Sequence, residues 1–319
     1  MSILVADIGG TNARFAIAEA GGSVTDARTL AVADYPRFED AVANYLAGVA
    51  GAPDMACFAV AGPAAGGEVS FTNSPWVVHA DRTAGQFGFQ RCLLVNDFQA
   101  ISRFAALARP EDVLVVKKGD AIAGAPILTI GPGTGLGQGM LILTGHGPLT
   151  VPTEGGHVVL ATRTEEEAEI AHRIARRIGR VTTAEDVLSG SGLVMLHETL
   201  GEMAGLVTPP MTAADVTAAA AEGDSQAVRT VRAFCLFLGT VASDACLGTG
   251  ARGGVMLAGG ILPRIPDLLL GSGFAERFEG DSKMRSYTKA APVSLLTTKG
   301  AALRGAAALL LDSLRTERA

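Results

Sequence analysis

Two stretches of this chain repeat one plan: an apolar strand, a glycine turn that carries Gly-Thr, and a second apolar strand. Residues 3–17 read Ile-Leu-Val-Ala-Asp-Ile-Gly-Gly-Thr-Asn-Ala-Arg-Phe-Ala-Ile, and residues 127–142 read Ile-Leu-Thr-Ile-Gly-Pro-Gly-Thr-Gly-Leu-Gly-Gln-Gly-Met-Leu-Ile, so Gly10-Thr11 corresponds to Gly133-Thr134. One such unit alone is an ordinary hairpin. A pair of them constrains the chain further, because each turn needs a sheet of its own to hold it. The repeat points to two lobes of related topology, each offering one turn to a shared central cleft.

The remaining pattern fits that plan. Short β-branched runs near 3–7, 13–19, 55–61, 92–95, 127–130, 139–143 and 254–258 alternate with Ala-rich stretches near 37–49, 98–108, 164–178, 211–221, 226–247 and 299–314. The runs read as strands and the stretches as helices, an α/β layering. The lobe boundary is expected after the helix ending near Ala108, with the last helix returning to the first lobe. The expected domains are a small α/β domain of residues 1–108 plus 299–319 and a large one of residues 109–298. A length of 319 residues, 48% of them hydrophobic, supplies core enough for both.

Charge and cysteine usage narrow the class. Lys and Arg number 26 against 32 Asp and Glu, a net charge of −6, so no broad basic surface exists to neutralise nucleic-acid phosphates. Cys57, Cys92, Cys235 and Cys246 are scattered and form neither a CxxC pair nor a zinc-type cluster; buried free thiols of a reducing compartment are expected. Met1-Ser2 runs straight into Ile3-Leu4-Val5 with no basic segment or cleavage site, which reads as a cytoplasmic chain. Asp244 interrupts the apolar run 233–247 and Arg304 interrupts 301–314, so no membrane span is expected.

The glycine turns suit phosphate. Without a Cβ in the way, backbone N–H groups can approach phosphate oxygens, and the hydroxyl of Thr11 or Thr134 can add a donor. No GxxxxGK[ST] occurs, and Leu136, Gln138 and Met140 fall where a GxGxxG motif would need its last glycine. Asp7 would add a carboxylate to a phosphate site, which is repulsive unless Mg²⁺ lies between, so it is a candidate to orient a hydrated metal ion. An Asx-turn residue that fixes the hairpin is the equal alternative. Gly259-Gly260, after the apolar run Val255-Met256-Leu257-Ala258, would let a flat base or ribose lie against backbone.

Other residues suit an alcohol acceptor. Leu93-Leu94-Val95-Asn96-Asp97-Phe98 ends an apolar strand on two polar residues and enters a helix, where open α/β folds gather their sites. Either residue could cap that helix. Phosphoryl transfer to an alcohol, however, wants a carboxylate to take the hydroxyl proton. Glu154 and His157 are joined by two glycines and can converge on one small polyhydroxy ligand. Glu185 lies three residues after Thr182, the spacing of a capping box, which is its competing reading. Asn73 is a polar loop residue near the only Trp, Trp76, with an ordinary turn as its alternative.

Taken together, these residues resemble the bacterial glucokinases of the hexokinase-like, actin-related ATPase superfamily. The likeness spans essentially the whole chain: ADIGGTNAR at 6–14, FTNSPW at 71–76, VNDFQA at 95–100, GPGTGLG at 131–137, TEGGH at 153–157, AEDVLSGSGL at 184–193 and LAGGILPR at 257–264, in the family's order. The resemblance implies a two-lobed actin/ribonuclease-H-like ATPase fold with a central interdomain cleft. It places the general base for the sugar 6-hydroxyl on Asp97 and sugar contacts on Asn96, Glu154, His157, Glu185 and Asn73. It gives Ala6, Asp7, Ile8, Gly9, Gly10 and Thr11 to one phosphate motif, Gly131, Gly133, Thr134 and Gly135 to the other, and Gly259 and Gly260 to the adenosine motif. ATP and Mg²⁺ are implied as co-substrate and metal, with a homodimer as the working form. Related repressor, open reading frame and kinase proteins carry a Cys-rich zinc motif after their EGH-like motif; none follows His157, so no structural zinc is expected. Pro132 and the stretch Ala61-Gly62-Pro63-Ala64 depart from the usual pattern without touching an implied catalytic group.

The function implied is ATP-dependent phosphorylation of D-glucose at its 6-hydroxyl. Its rivals are a kinase for another hexose and an actin- or chaperone-like ATPase with no sugar substrate. A sugar-sensing transcription regulator would need a helix-turn-helix extension, for which a first strand at Ile3 leaves no room.

Overall fold

A computed structural model describes residues 2–19, 22–62, 64, 66–71 and 74–316. The chain forms two compact units: Met1–Ala108, Thr144–Pro152 and Thr298–Ala319 make the first, Arg109–Leu143 and Thr153–Thr297 the second.

The first unit is built on the five-stranded sheet β3-β2-β1-β4-β7, comprising β1 (Ser2–Ile8), β2 (Asn12–Glu19), β3 (Val24–Ala31), β4 (Met55–Val60) and β7 (Arg91–Asn96). A two-stranded ribbon, β5 (Glu68–Ser70) with β6 (Val77–His79), lies outside it. β1 pairs antiparallel with β2, and β4 runs parallel to both β1 and β7. Alternation along β1 splits the core in two. Leu4, Ala6 and Ile8 face a cluster with Phe15, Phe38, Phe58 and Trp76, to which α1 (Phe38–Ala47) and the segment before α2 (Ala80–Phe87) contribute. Ile3 and Val5 face the other cluster, closed by Ala302, Leu303, Ala306 and Leu310 of α11 (Ala301–Thr316). β4 is buried at every position, as a central parallel strand must be, and its uninterrupted apolar run Met-Ala-Cys-Phe-Ala-Val reflects that.

Helix α3 (Asp97–Ala105) follows β7 directly and packs along α11. Contact is close because α11 presents Gly305 to the Ala100 carbonyl, where any Cβ would collide. Arg103 donates to Asp312 across this interface at 2.6 Å, and the Arg304 guanidinium sits 4.6 Å from the centre of the Phe104 ring.

The second unit repeats the order. The six-stranded sheet runs β11-β10-β9-β12-β13-β8, made from β8 (Val113–Lys117), β9 (Ile127–Pro132), β10 (Leu136–Thr144), β11 (Gly147–Thr153), β12 (Gly254–Leu257) and β13 (Val293–Leu296); its residues belong to this unit except Thr144 of β10 and residues 147–152 of β11, which belong to the first. The hairpin β9-β10 is antiparallel and β12 runs parallel to β9 and β13, which is the β1-β2 and β4-β7 arrangement again. The sequence echo is therefore a repeat of sheet topology, with β8 added antiparallel at the edge. Helices α4 (Glu165–Ile178), α5 (Gly190–Met203), α6 (Ala213–Ala221), α7 (Ser225–Thr249), α8 (Pro266–Gly271), α9 (Phe274–Glu279) and α10 (Arg285–Ala290) complete the unit. Thr164, Ser189, Thr212 and Asp224 cap four of them, each accepting a backbone N–H from the first turn.

The helix expected at 226–247 is present as α7, but Asp244 does not break its apolar run enough to rule out a membrane span by composition, contrary to expectation. The helix is continuous over 25 residues and, by length and composition alone, could cross a membrane. Its Phe234, Phe237, Leu238 and Ala242 instead lie in the unit's core. Its apolarity serves the interior of the unit. All four cysteines are free, and burial pushes the Cys235 thiol up to about 12 and the Cys246 thiol up to about 11.

Candidate active site

The first glycine turn joins β1 to β2. Gly9 donates its N–H to Asn12 O at 3.0 Å and Ala61 donates to Ile8 O at 3.1 Å, which fixes the turn against the end of β4. Thr11 is exposed and Gly10 half-buried, so the tip is open. Asp7 is partly buried and stands opposite Arg14 across the β1-β2 ladder. Burial pushes its carboxyl above the usual range, and the Arg14 charge offsets this in part.

The second turn, between β9 and β10, is held from two sides. Gly133 donates to Gly135 O at 2.8 Å, and Gly190, the first residue of α5, donates to Gly133 O at 2.8 Å. Thr134 at the tip is exposed. Gly131 lies against the Ala258 carbonyl, and Gly259, at φ +87°, lies against the Pro132 carbonyl. A side chain at either position would push the second turn and the Gly259-Gly260 pair apart, so the two motifs are packed as one piece of backbone.

At the end of β7, Asn96 is the cap of α3. Its Oδ1 accepts from Phe98 N at 2.9 Å and Gln99 N at 3.1 Å, while Nδ2 donates to Gly62 O at 3.1 Å. The cap reading is thus realised, and it leaves Asn96 one amide hydrogen to give elsewhere. Asp97, the first helical residue, accepts Phe98 N on Oδ1 at 2.9 Å. Gln99 donates to Thr150 at 3.1 Å, a tie that the sequence did not signal. Asn73 lies outside the described residues. Near it, Trp76 is buried, donates its indole N–H to Tyr35 O at 2.8 Å and packs edge-on against Phe38.

In the second unit, Glu154, His157 and Glu185 come together. His157 Nε2 is 3.8 Å from Glu154 Oε2, and Nδ1 is 3.9 Å from Glu185 Oε1. The loop carrying Glu154 and His157 can lie this close to β10 only because its middle is Gly-Gly: a Cβ on Gly156 would meet the Leu136 carbonyl, and one on Gly155 the Gln138 carboxamide. Glu185 is not part of a capping box. Its Oε2 accepts Leu136 N at 2.8 Å, Thr182 Oγ1 donates to Ala171 O, and the local turn is closed by Thr183 and Asp186 instead. The Leu136 and Gln138 supports escaped the sequence reading; the single amide of Gln138 within the apolar strand 136–142 was the available signal.

A family profile described as Glucokinase matches residues 4–313. A glucokinase of Stenotrophomonas maltophilia (strain K279a) is 41% identical over 322 residues, covering 98% of this chain and 96% of that protein. The chain belongs to the glucokinase family. As a family member it is a hexose phosphotransferase with an alcohol group as acceptor. The crystal structure of a glucokinase from an Antarctic psychrotroph superposes with a TM-score of 0.86 at 35% identity, covering 98% of this chain and 99% of that one. A glucokinase from Balamuthia mandrillaris in complex with glucose shares the fold at 19% identity, with a TM-score of 0.79 over 97% of this chain and 93% of that one. The two repeated sheets are those of the actin/ribonuclease-H-like fold of this family.

Proposed function

We propose that this glucokinase-family chain transfers the γ-phosphoryl group of ATP to the 6-hydroxyl of D-glucose, giving glucose 6-phosphate and ADP. The observation that carries the sugar assignment is the Glu154–His157–Glu185 group, in which an imidazole stands within 4 Å of two carboxylates. Acceptors and a donor at this spacing suit adjacent hydroxyls on one face of a pyranose, each of which must recover the hydrogen bonds it had in water. Asp97 takes the 6-hydroxyl proton as the O–P bond forms, and the remaining amide hydrogen of Asn96 holds a neighbouring hydroxyl. The two glycine turns offer backbone N–H groups and the Thr11 and Thr134 hydroxyls to the phosphates. Gly259-Gly260 gives the flat surface for the nucleoside. Cytoplasmic location, consistent with four free thiols, and a homodimeric working form belong to the same reading.

Asp7 fits a Mg²⁺ ion. It is one partly buried carboxylate with a single cationic neighbour, Arg14, and burial raises its proton affinity. Mg²⁺ commonly takes one or two carboxylates, with waters and substrate phosphates filling the other positions. When bound, the ion would neutralise charge on the transferring phosphoryl group. The raised carboxyl gives a signed test. Above the unfolded pKa, a folded state that holds its proton more tightly must give it up as pH rises, so ionised Asp7 destabilises the native protein at neutral pH. Asp7→Asn is therefore expected to raise the melting temperature at pH 7 and to lower kcat. An Asx-turn role predicts unchanged turnover, since Asn makes the same turn; full activity in the variant would remove the metal assignment.

Truncating Glu154 or His157 to Ala should weaken glucose by about 1–3 kcal/mol each, roughly 5- to 150-fold in KM, with a smaller loss in kcat. A coupled assay over a panel of hexoses and phosphoryl donors reads both this and the main proposal. Hydrolysis of ATP at an equal rate without any hexose would instead mark a chaperone-like ATPase.

A further inference from the structure

The second glycine turn and the loop of Glu154 and His157 share one carboxylate. Glu185 Oε2 accepts the Leu136 N–H at 2.8 Å, where the turn enters β10, while Oε1 faces His157 Nδ1 at 3.9 Å. The backbone of Glu185 is tied to the same loop, because its N–H donates to Gly156 O at 2.9 Å. At the far end of the segment 185–190, Gly190 N donates to Gly133 O at 2.8 Å, so this segment holds the turn at two points. Val187 and Leu188, both fully buried, anchor the segment in the core. All of these residues lie within the second unit.

Gly135 makes the arrangement possible. A Cβ there would collide with Glu185 Oε2, the oxygen that takes the Leu136 N–H, and the nearest atoms it would meet all belong to that carboxylate. Its φ is not left-handed, so the backbone itself would accept alanine. What stands in the way is the tip of a flexible side chain from the sugar side.

We propose that Gly135 is a positioning residue for the sugar, admitting the Glu185 carboxylate to the Leu136 N–H, and that through this shared carboxylate glucose and nucleotide strengthen each other's binding. The coupling rests on the reading of Glu185 as a sugar ligand and of residues 131–135 as a phosphate turn. The Glu185 side chain is 33% exposed, so without sugar its torsions are free to carry it off the turn. A sugar hydroxyl on Oε1 fixes the carboxylate, Oε2 stays on Leu136 N, and the turn is ordered before the phosphates arrive. By linkage, nucleotide favours sugar by the same factor.

The test is calorimetry on the full-length protein, with glucose and the magnesium complex of AMPPNP as probes. In the wild type, saturating glucose should tighten AMPPNP about fivefold or more, and AMPPNP should tighten glucose equally. Gly135→Ala should weaken glucose about fivefold or more, leave AMPPNP without glucose within about twofold, and abolish the mutual effect. In a Glu185→Ala background no carboxylate remains to be displaced, so adding Gly135→Ala should cause no further loss of glucose affinity. Glu185→Asp, one methylene too short to reach Leu136 N, should also lose the coupling with residue 135 intact, which keeps the test decisive if alanine at 135 disturbs folding. Glu185→Gln keeps an oxygen for that N–H and should retain the coupling. A Gly135→Ala loss that falls equally on AMPPNP without glucose, or that adds in full to the loss from Glu185→Ala, gives the glycine to the phosphates and overturns the positioning role. Coupling absent from the wild type, or retained in Glu185→Asp, overturns the shared-carboxylate link. Failure of the wild type to bind glucose overturns the sugar assignment itself, a result told apart from the others because it appears before any variant is made.

Discussion

Replacing Asp97 by Asn is expected to lower kcat by roughly 10²–10⁴-fold, with the KM for glucose little changed. The amide matches the carboxylate in shape and still offers an oxygen to Phe98 N, the bond that Asp97 Oδ1 accepts at 2.9 Å, so the start of α3 should survive. What it loses is the capacity to take a proton. The alcohol must then transfer to phosphorus without a base, and turnover falls while ground-state binding persists. Steady-state kinetics with glucose and ATP, checked by a direct glucose-binding measurement, separates the two effects. Turnover within a fewfold of wild type would mean that another group takes the proton.

The second large effect is expected from a residue far from any substrate in the sequence. Gly305→Ala places a methyl group against the Ala100 carbonyl, where α11 meets α3. Backbone cannot swing aside as a side-chain tip does, so the helices must part, at a cost of about 1–3 kcal/mol or more. The shift should appear as a lower urea midpoint with unchanged slope. Ala100 is one helical turn past Asp97, so kcat should fall as well, and by more than the loss of folded protein accounts for. A variant as stable and active as wild type would show that the helices do not meet through this glycine.

Much of this architecture could be read from residue order. The strand–turn–strand echo identified two related sheets because its glycines mark turns at matching places in an alternating apolar pattern, and α3, α4, α6, α7 and α11 carry clear helical periodicity. Elements with weaker local signals escaped. β13 is four residues long and β3 is largely exposed, with polar side chains such as Thr25, Asp26 and Arg28, so neither shows the apolar run that marks a strand. α5 opens Gly-Ser-Gly, a poor helix start by propensity, and is secured by the Ser189 cap and by packing of Leu193, Leu196 and Leu200 into the core. At the candidate site, side-chain types signalled Asn96, Asp97, Glu154 and His157. They could not signal that Glu185 is held by a backbone N–H from Leu136, nor that Gln138 supports the loop, because those contacts depend on register between distant segments.

The discontinuity of the first unit has a bearing on how the protein is made. A ribosome delivers the sheet of β1, β2, β4 and β7 within the first hundred or so residues, yet the helix that covers the Ile3, Val5 and Ala59 face arrives only at residues 301–316. Throughout synthesis of residues 109–297 the nascent chain must carry that face bare, and the helix bearing Asp97 lacks its packing partner. The second unit, whose segments are complete by Thr297, can fold meanwhile. Until that helix is made, the strands bearing Ile3, Val5 and Ala59 lack the apolar cover they have in the folded unit.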